Sequence, residues 1–175
     1  MSVLPLTAYP GEEDFPSFSP DGTLIAFSWN RDGNKDIYVK VVDAAAEPHR
    51  LTIDPAEDSL PKWSPDGRWI AFVRGRSLML ISPFGGSERK LASVGSLSID
   101  WTPDAKHLVA TEEDRGGGSN KLILVSADTG EITPIDYKPE PDKRWSHGRR
   151  CRSAEPSEWV TKRSAALRDV VHGQT

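Results

Sequence analysis

The sequence predicts an all-β fold of repeated four-stranded antiparallel units, and three observations carry the prediction. First, one fourteen-residue phrase is written twice: "DFPSFSPDGTLIAF" at 14–27 returns 45 residues later as "SLPKWSPDGRWIAF" at 59–72. Second, a worn copy, "IDWTPDAKHLVA" at 99–110, follows 38 residues on, placing Trp101 on Trp63, Pro103 on Pro65 and Leu108 on Ile70. Third, short apolar or alternating runs bounded by Gly, Pro and Asp recur through residues 1–138, which is a strand signal. That stretch holds no long 3.6-period segment free of proline, as a helical repeat of similar length requires.

The elements follow in order. Each copy opens with a short strand ending in an aromatic residue: Phe18, Trp63 or Trp101. A turn comes next, Pro20-Asp21-Gly22, Pro65-Asp66-Gly67 and Pro103-Asp104. Pro presets φ for the second turn position, Asp tolerates the third, and Gly takes the left-handed position after it. Second strands follow ("TLIAFSW", "RWIAFVR", "KHLVATEE"), then third strands ("DIYVKVV", "SLMLIS", "KLILVS"). Further turns lead to short fourth strands, "HRLT", "RKLA" and "ITPI". Four strands in some 40 residues make one blade of a β-propeller. The expected architecture is therefore a partial β-propeller of about three four-stranded antiparallel blades over residues 1–138, with a non-propeller C-terminal tail. In this register Phe18, Trp63 and Trp101 pack between blades, whereas Trp29 and Trp69 have no assigned place.

These motifs resemble the TolB-like β-propeller repeats, a WD-repeat-like family. The resemblance rests on Ser19-Pro20-Asp21-Gly22 and Ser64-Pro65-Asp66-Gly67, each followed by Ile-Ala-Phe, and on the hairpin "NRDGNKDIYV" at 30–39. It covers roughly residues 6–136. The family includes TolB, propeller domains of prolyl-oligopeptidase-type peptidases and sensor-like regions of bacterial signalling proteins, so the resemblance implies architecture and leaves function open.

Two departures from the pattern matter. Ala105 stands where the turn calls for Gly, and an alanine at a left-handed position costs on the order of 1 kcal/mol, so that turn is expected to be looser or of another type. Moreover, three blades cannot close a ring of four to eight. Open sheet edges invite pairing with another chain, and self-association is expected.

Composition bounds the rest. The chain has 175 residues and a formal net charge of −4, so no general affinity for nucleic acid follows. Residues 1–138 hold 14 Lys/Arg against 21 Asp/Glu, and residues 139–175 hold 8 against 5, which puts a boundary near Lys138. No apolar run is long enough to span a membrane. The N-terminal residues have no basic n-region or apolar h-region, so the chain as written reads as cytoplasmic; a missing leader would allow the periplasm that some family members occupy. Cys151 is the only cysteine and forms no internal disulfide.

Within the tail, "EPDKRW" at 140–145 echoes "SPDGRW" and then fails to continue as a blade. Residues 157–173 fit one amphipathic helix capped by Ser157 and Gly173, so the tail is expected to be disordered or one helix. A frameshift or fragment end is the other reading. "GRRCR" at 148–152 is one short basic patch on an acidic protein, and nucleic-acid binding is not expected of it.

Catalytic signatures are missing from the sequence. "GGGSNK" at 116–121 lacks the last glycine of a nucleophile elbow, and His49, His107, His147 and His172 are scattered. A Cys151–His147 pair sits beside Gly148 and a basic cluster that argue against it. The alternating Asn30, Asp32, Asn34 and Asp36 resemble part of a calcium loop but lack its closing glutamate, so they are expected to form a hairpin turn, without metal. No cofactor is expected. The best candidates for binding are Glu12, Glu13, Glu57 and Asp58, which precede the inner strands and could form an acidic rim around the channel for a cationic ligand or peptide. The resulting expectation is a non-enzymatic module of sensor or scaffold type that binds a protein or ligand, cut from a larger propeller. The alternative is the gating propeller of a prolyl-oligopeptidase-type serine peptidase whose catalytic domain lies elsewhere.

Overall fold

The computed structural model describes residues 7, 9–42, 46–95, 98–112 and 121–135. The tail 139–175, with its expected helix and the Cys151–His147 pair, lies outside the described residues, as does most of "GGGSNK".

Twelve strands form three antiparallel sheets of four, each in simple sequence order. The first blade is β1 (Glu13–Phe18), β2 (Leu24–Trp29), β3 (Asp36–Val41) and β4 (His49–Arg50). The second is β5 (Asp58–Trp63), β6 (Ile70–Arg74), β7 (Ser77–Ile81) and β8 (Arg89–Ser93). The third is β9 (Ile99–Trp101), β10 (His107–Glu112), β11 (Lys121–Ser126) and β12 (Ile132–Pro134). Meandering sheets of this kind are propeller blades, and the expected fold class holds. No helix among the described residues is long and apolar enough to cross a membrane.

The repeated turns are superposable in chemistry. Gly22, Gly67 and Ala105 each donate a backbone hydrogen bond to the residue three before, at 2.9, 2.9 and 3.0 Å. The Ser19, Ser64 and Thr102 hydroxyls each donate to the turn aspartate, Asp21, Asp66 or Asp104, at 2.6 Å. Gly22 and Gly67 both have φ 73°, and Ala105 has φ 58°. The third turn is thus neither looser nor of another type; Ala105 is held in the left-handed region by the same bonds that serve glycine elsewhere.

Blades pack face to face through strictly alternating side chains. Ala26, Ile37 and Val39 of the first blade meet Trp63, Ile70 and Phe72 of the second. On its opposite face, the second blade offers Ala71, Leu78 and Leu80 to Trp101, Leu108 and Ala110 of the third. The indole of Trp101 also donates to the Lys62 carbonyl across that interface, at 3.0 Å. Trp63 and Trp101 are buried as expected, each 8% exposed, but Phe18 is 55% exposed. The reason is positional: among the described residues no blade precedes the first, so nothing fills the place that the preceding blade takes over the other two aromatics.

One shared feature of the inner strands has no forewarning in the turn motifs. Strands β1 and β5 each break register against their partners, between Asp14 and Ser17 and between Ser59 and Lys62. At those bulges Phe15 and Leu60 both adopt φ 55°, a conformation that bulky side chains rarely take.

Candidate functional site

The inner strands β1 and β5 begin at one end of the sheets, where β2 and β6 finish and β3 starts. This geometry gathers a dense set of charges, because strand ends carry the residues that cannot enter an apolar blade face. On the first blade, Lys35 Nζ lies 2.7 Å from Asp14 and 3.4 Å from Glu12. The hydrogen bond from Lys35 to Asp14 holds the ammonium above its ordinary range. Glu12 remains largely exposed, and its backbone N–H donates to Asn30 Oδ1 at 2.7 Å. Glu13 is half-buried and accepts the Thr7 hydroxyl, while its Oε1 has no partner among the described residues.

On the second blade, Glu57 is exposed and Asp58 is wholly buried. Arg74 grips both Asp58 oxygens, Nε to Oδ1 at 2.7 Å and Nη2 to Oδ2 at 2.8 Å, and also contacts Glu88 and Asp54. Burial pushes the Asp58 carboxyl up, whereas its hydrogen bonds to Arg74 push the guanidinium still higher. The two-pronged contact is that of an ionised carboxylate with a guanidinium, so the pair is charged at neutral pH. Asp58 therefore does not belong to a solvent-facing acidic rim. The side chain follows the alternation of β6, which aims Ile70, Phe72 and Arg74 at the same face; a cation on that face requires a buried anion. That rule was the available signal, and Arg74 is the residue that motif reading missed.

Within the first blade, Asp36 is likewise buried and paired with Arg50, which also reaches Asp32 at 3.5 Å. Burial raises the Asp36 carboxyl above its usual range. The would-be calcium ligands are all engaged in the hairpin: Asn30 binds the Glu12 backbone, Asn34 donates to the Asp54 carbonyl at 2.8 Å, and Asp32 and Asp36 share Arg50. Among the described residues no group of three or more His, Cys, Asp or Glu is placed to hold a metal ion. Trp29 is buried, donating its indole N–H to the Pro10 carbonyl at 2.9 Å and packing on Tyr9 and Tyr38. Trp69 is partly buried under the guanidinium of Arg89.

The structural turn residues take no part in this end. Pro20, Asp21, Gly22, Pro65, Asp66, Gly67, Pro103 and Asp104 all sit at the opposite ends of the sheets, between the first and second strands of each blade. The charged end thus has three acids of the four foreseen, Glu12, Glu13 and Glu57, joined by Asp14, Asp32 and Asp54. With the buried Asp36 and Asp58 they outnumber the cations Arg31, Lys35, Arg50, Arg74 and Arg76 of this end, of which Arg31, Lys35, Arg50 and Arg74 are paired with carboxylates. The arrangement can attract and orient a cation.

A family model described as the TolB β-propeller domain matches residues 4–135. The chain belongs to the TolB β-propeller domain family. TolB from Acinetobacter baumannii is similar at 24% identity and a TM-score of 0.62, over 74% of this chain and 33% of that one. A putative TolB from Agrobacterium tumefaciens has the same identity and TM-score, over 70% and 48%. The β-propeller domain of the Trilobed protease from Pyrococcus furiosus is similar at 17% identity and a TM-score of 0.55, over 74% and 43%. This TolB-like chain accordingly spans a third to a half of the length of those structures. No curated protein matches it.

Proposed function

We propose that this TolB-like propeller is a non-enzymatic binding module that takes a basic segment of a protein partner at the charged end of its first two blades. The observation that carries the reading is the surplus of carboxylates there. Glu12 and Asp32 have side chains 71% and 60% exposed, Glu57 is exposed, and the local cations are already paired. Negative potential at a cleft raises the local concentration of cationic groups and speeds their encounter.

Titration with a fluorescein-labelled lysine–serine peptide, followed by anisotropy, tests this. Saturable binding that weakens with salt is expected, and the Glu12→Gln, Glu57→Gln double variant is expected to bind roughly threefold to tenfold more weakly. Binding that is absent at low salt, or unchanged in the double variant, would overturn the reading. The likeness to the protease propeller favours a second reading, in which the blades gate peptides toward a hydrolase domain. A G-x-S-x-G hydrolase encoded in the same reading frame would support it.

A further inference from the structure

Because the blades repeat, one blade interface serves as a template for the other. Between the second and third blades, at the end of the sheets that carries the repeated turns, a cation crosses the boundary. Arg89 of β8 lays its guanidinium over the Trp69 ring, 5.7 Å from the centroid. From there it donates to two backbone carbonyls of the third blade, those of Ala127 and, at 2.8 Å, Asp128, in the turn between β11 and β12. A planar guanidinium suits such a place, since it stacks on an aromatic face and offers several donors in a fixed fork.

The same place between the first and second blades is an open pocket. By register, Leu24 stands where Trp69 does, and His49 where Arg89 does. Pro83 and Phe84 stand where Ala127 and Asp128 do. Leucine is smaller than tryptophan, and His49 is shorter than arginine and exposed. What remains is a cavity of about 240 Å³ with Pro20, Leu24, Trp63 and Pro83 among its apolar walls. The carboxylates of Asp21 and Asp66, one from each blade's turn, also line it. Phe84 stands at its rim, 86% exposed, on a turn that continues through Gly85 and Gly86 at φ 84° and 110°. Among the described residues no donor reaches the carbonyl of Pro83 or Phe84.

We propose that this pocket binds an arginine side chain of a protein partner, which supplies from outside the guanidinium that Arg89 supplies from within at the next interface. The guanidinium donates to the Pro83 and Phe84 carbonyls, and its stem lies along the proline and leucine walls. The Phe84 ring covers its face, in the part that Trp69 plays for Arg89. Asp21 and Asp66 supply the opposite charge, which a neutral apolar side chain could not use. A lysine ammonium is a compact point charge and matches neither the ring face nor the pair of carbonyls. The pocket lies at the opposite ends of the sheets from Glu12 and Glu57, so it stands independently of the basic-segment reading.

Amide-shift NMR on the isotope-labelled 175-residue chain, titrated with N-acetyl-arginine amide, tests this. Saturable shifts are expected at Gly67, Phe84 and the Trp63 indole, with a dissociation constant of roughly 1 mM. N-acetyl-lysine amide is expected to bind about fivefold more weakly or worse. The double variant Leu24→Trp, His49→Arg rebuilds the filled arrangement of the second interface and is expected to abolish binding. Phe84→Ala is expected to weaken binding roughly threefold to tenfold; at 86% exposure its replacement leaves the fold intact, so it decides the matter if the double variant does not fold. The Glu12→Gln, Glu57→Gln variant is expected to keep the shifts. Shifts that do not saturate or that appear only around Glu12 and Glu57, equal affinity for the lysine probe, or unchanged affinity in Phe84→Ala would each overturn the proposal. So would undiminished binding by a folded Leu24→Trp, His49→Arg variant, or loss of the shifts in the Glu12→Gln, Glu57→Gln variant.

Discussion

Replacing Ala105 by glycine is expected to stabilise the protein. Ala105 holds φ 58° in a turn otherwise identical to those at Gly22 and Gly67. A left-handed alanine carries about 1–2 kcal/mol of strain. Glycine removes that strain but frees the unfolded chain, which offsets about 0.4–1 kcal/mol. The net gain is about 0.5–1 kcal/mol, or roughly 1–4 °C in melting temperature for a chain of this size. The reverse change gives a control. A Cβ added at Gly22 meets nothing within 4 Å, so the cost of Gly22→Ala is confined to the backbone. It is expected to lose about what Ala105→Gly gains, and the double variant is expected to return near the parent, because distant sites add. Urea unfolding of the four proteins measures this. If Ala105→Gly proves neutral or destabilising while Gly22→Ala is costly, the turns are not equivalent and the reasoning fails.

Two further outcomes are expected. Trp101→Phe removes the indole bond to the Lys62 carbonyl and should cost about 1 kcal/mol more than Trp63→Phe in urea unfolding, because Trp63 Nε1 is buried with no partner among the described residues; equal costs would contradict this. The turn aspartates set part of the acid limb of stability. The Ser19 hydroxyl lowers the Asp21 carboxyl; at Asp66 and Asp104 burial acts upward but is outweighed by the hydroxyls of Ser64 and Thr102 and by backbone N–H groups. A lowered folded-state value means that their contribution is present above the ordinary carboxylate value of 3.8 and is lost as pH falls through the folded value. Buried Asp36 and Asp58 are shifted upward and act in the opposite sense. The triple Asp→Asn variant at the turns should therefore lose less stability than the parent as pH falls below the ordinary carboxylate value of 3.8, and an unchanged slope in urea unfolding would refute it.

Sequence alone determined the blades. Each hairpin is specified within a few residues, by Ser or Thr to cap the turn aspartate, Pro to set φ, and alternation to assign side chains to faces. Those are local interactions, and the structure reproduces all twelve strands from them. Tertiary structure decided what each residue meets. Glu57 and Asp58 are neighbours with the same charge, yet one faces solvent and the other is sealed under Arg74, because alternation turns them opposite ways and only the packed blades bring the arginine there. Phe18 repeats Trp63 and Trp101 in register but not in burial, because burial belongs to the neighbouring blade and not to the residue. Ala105 keeps a glycine conformation that its side chain disfavours, since the bonds of the turn and the packing of its blade outweigh the strain of a single residue.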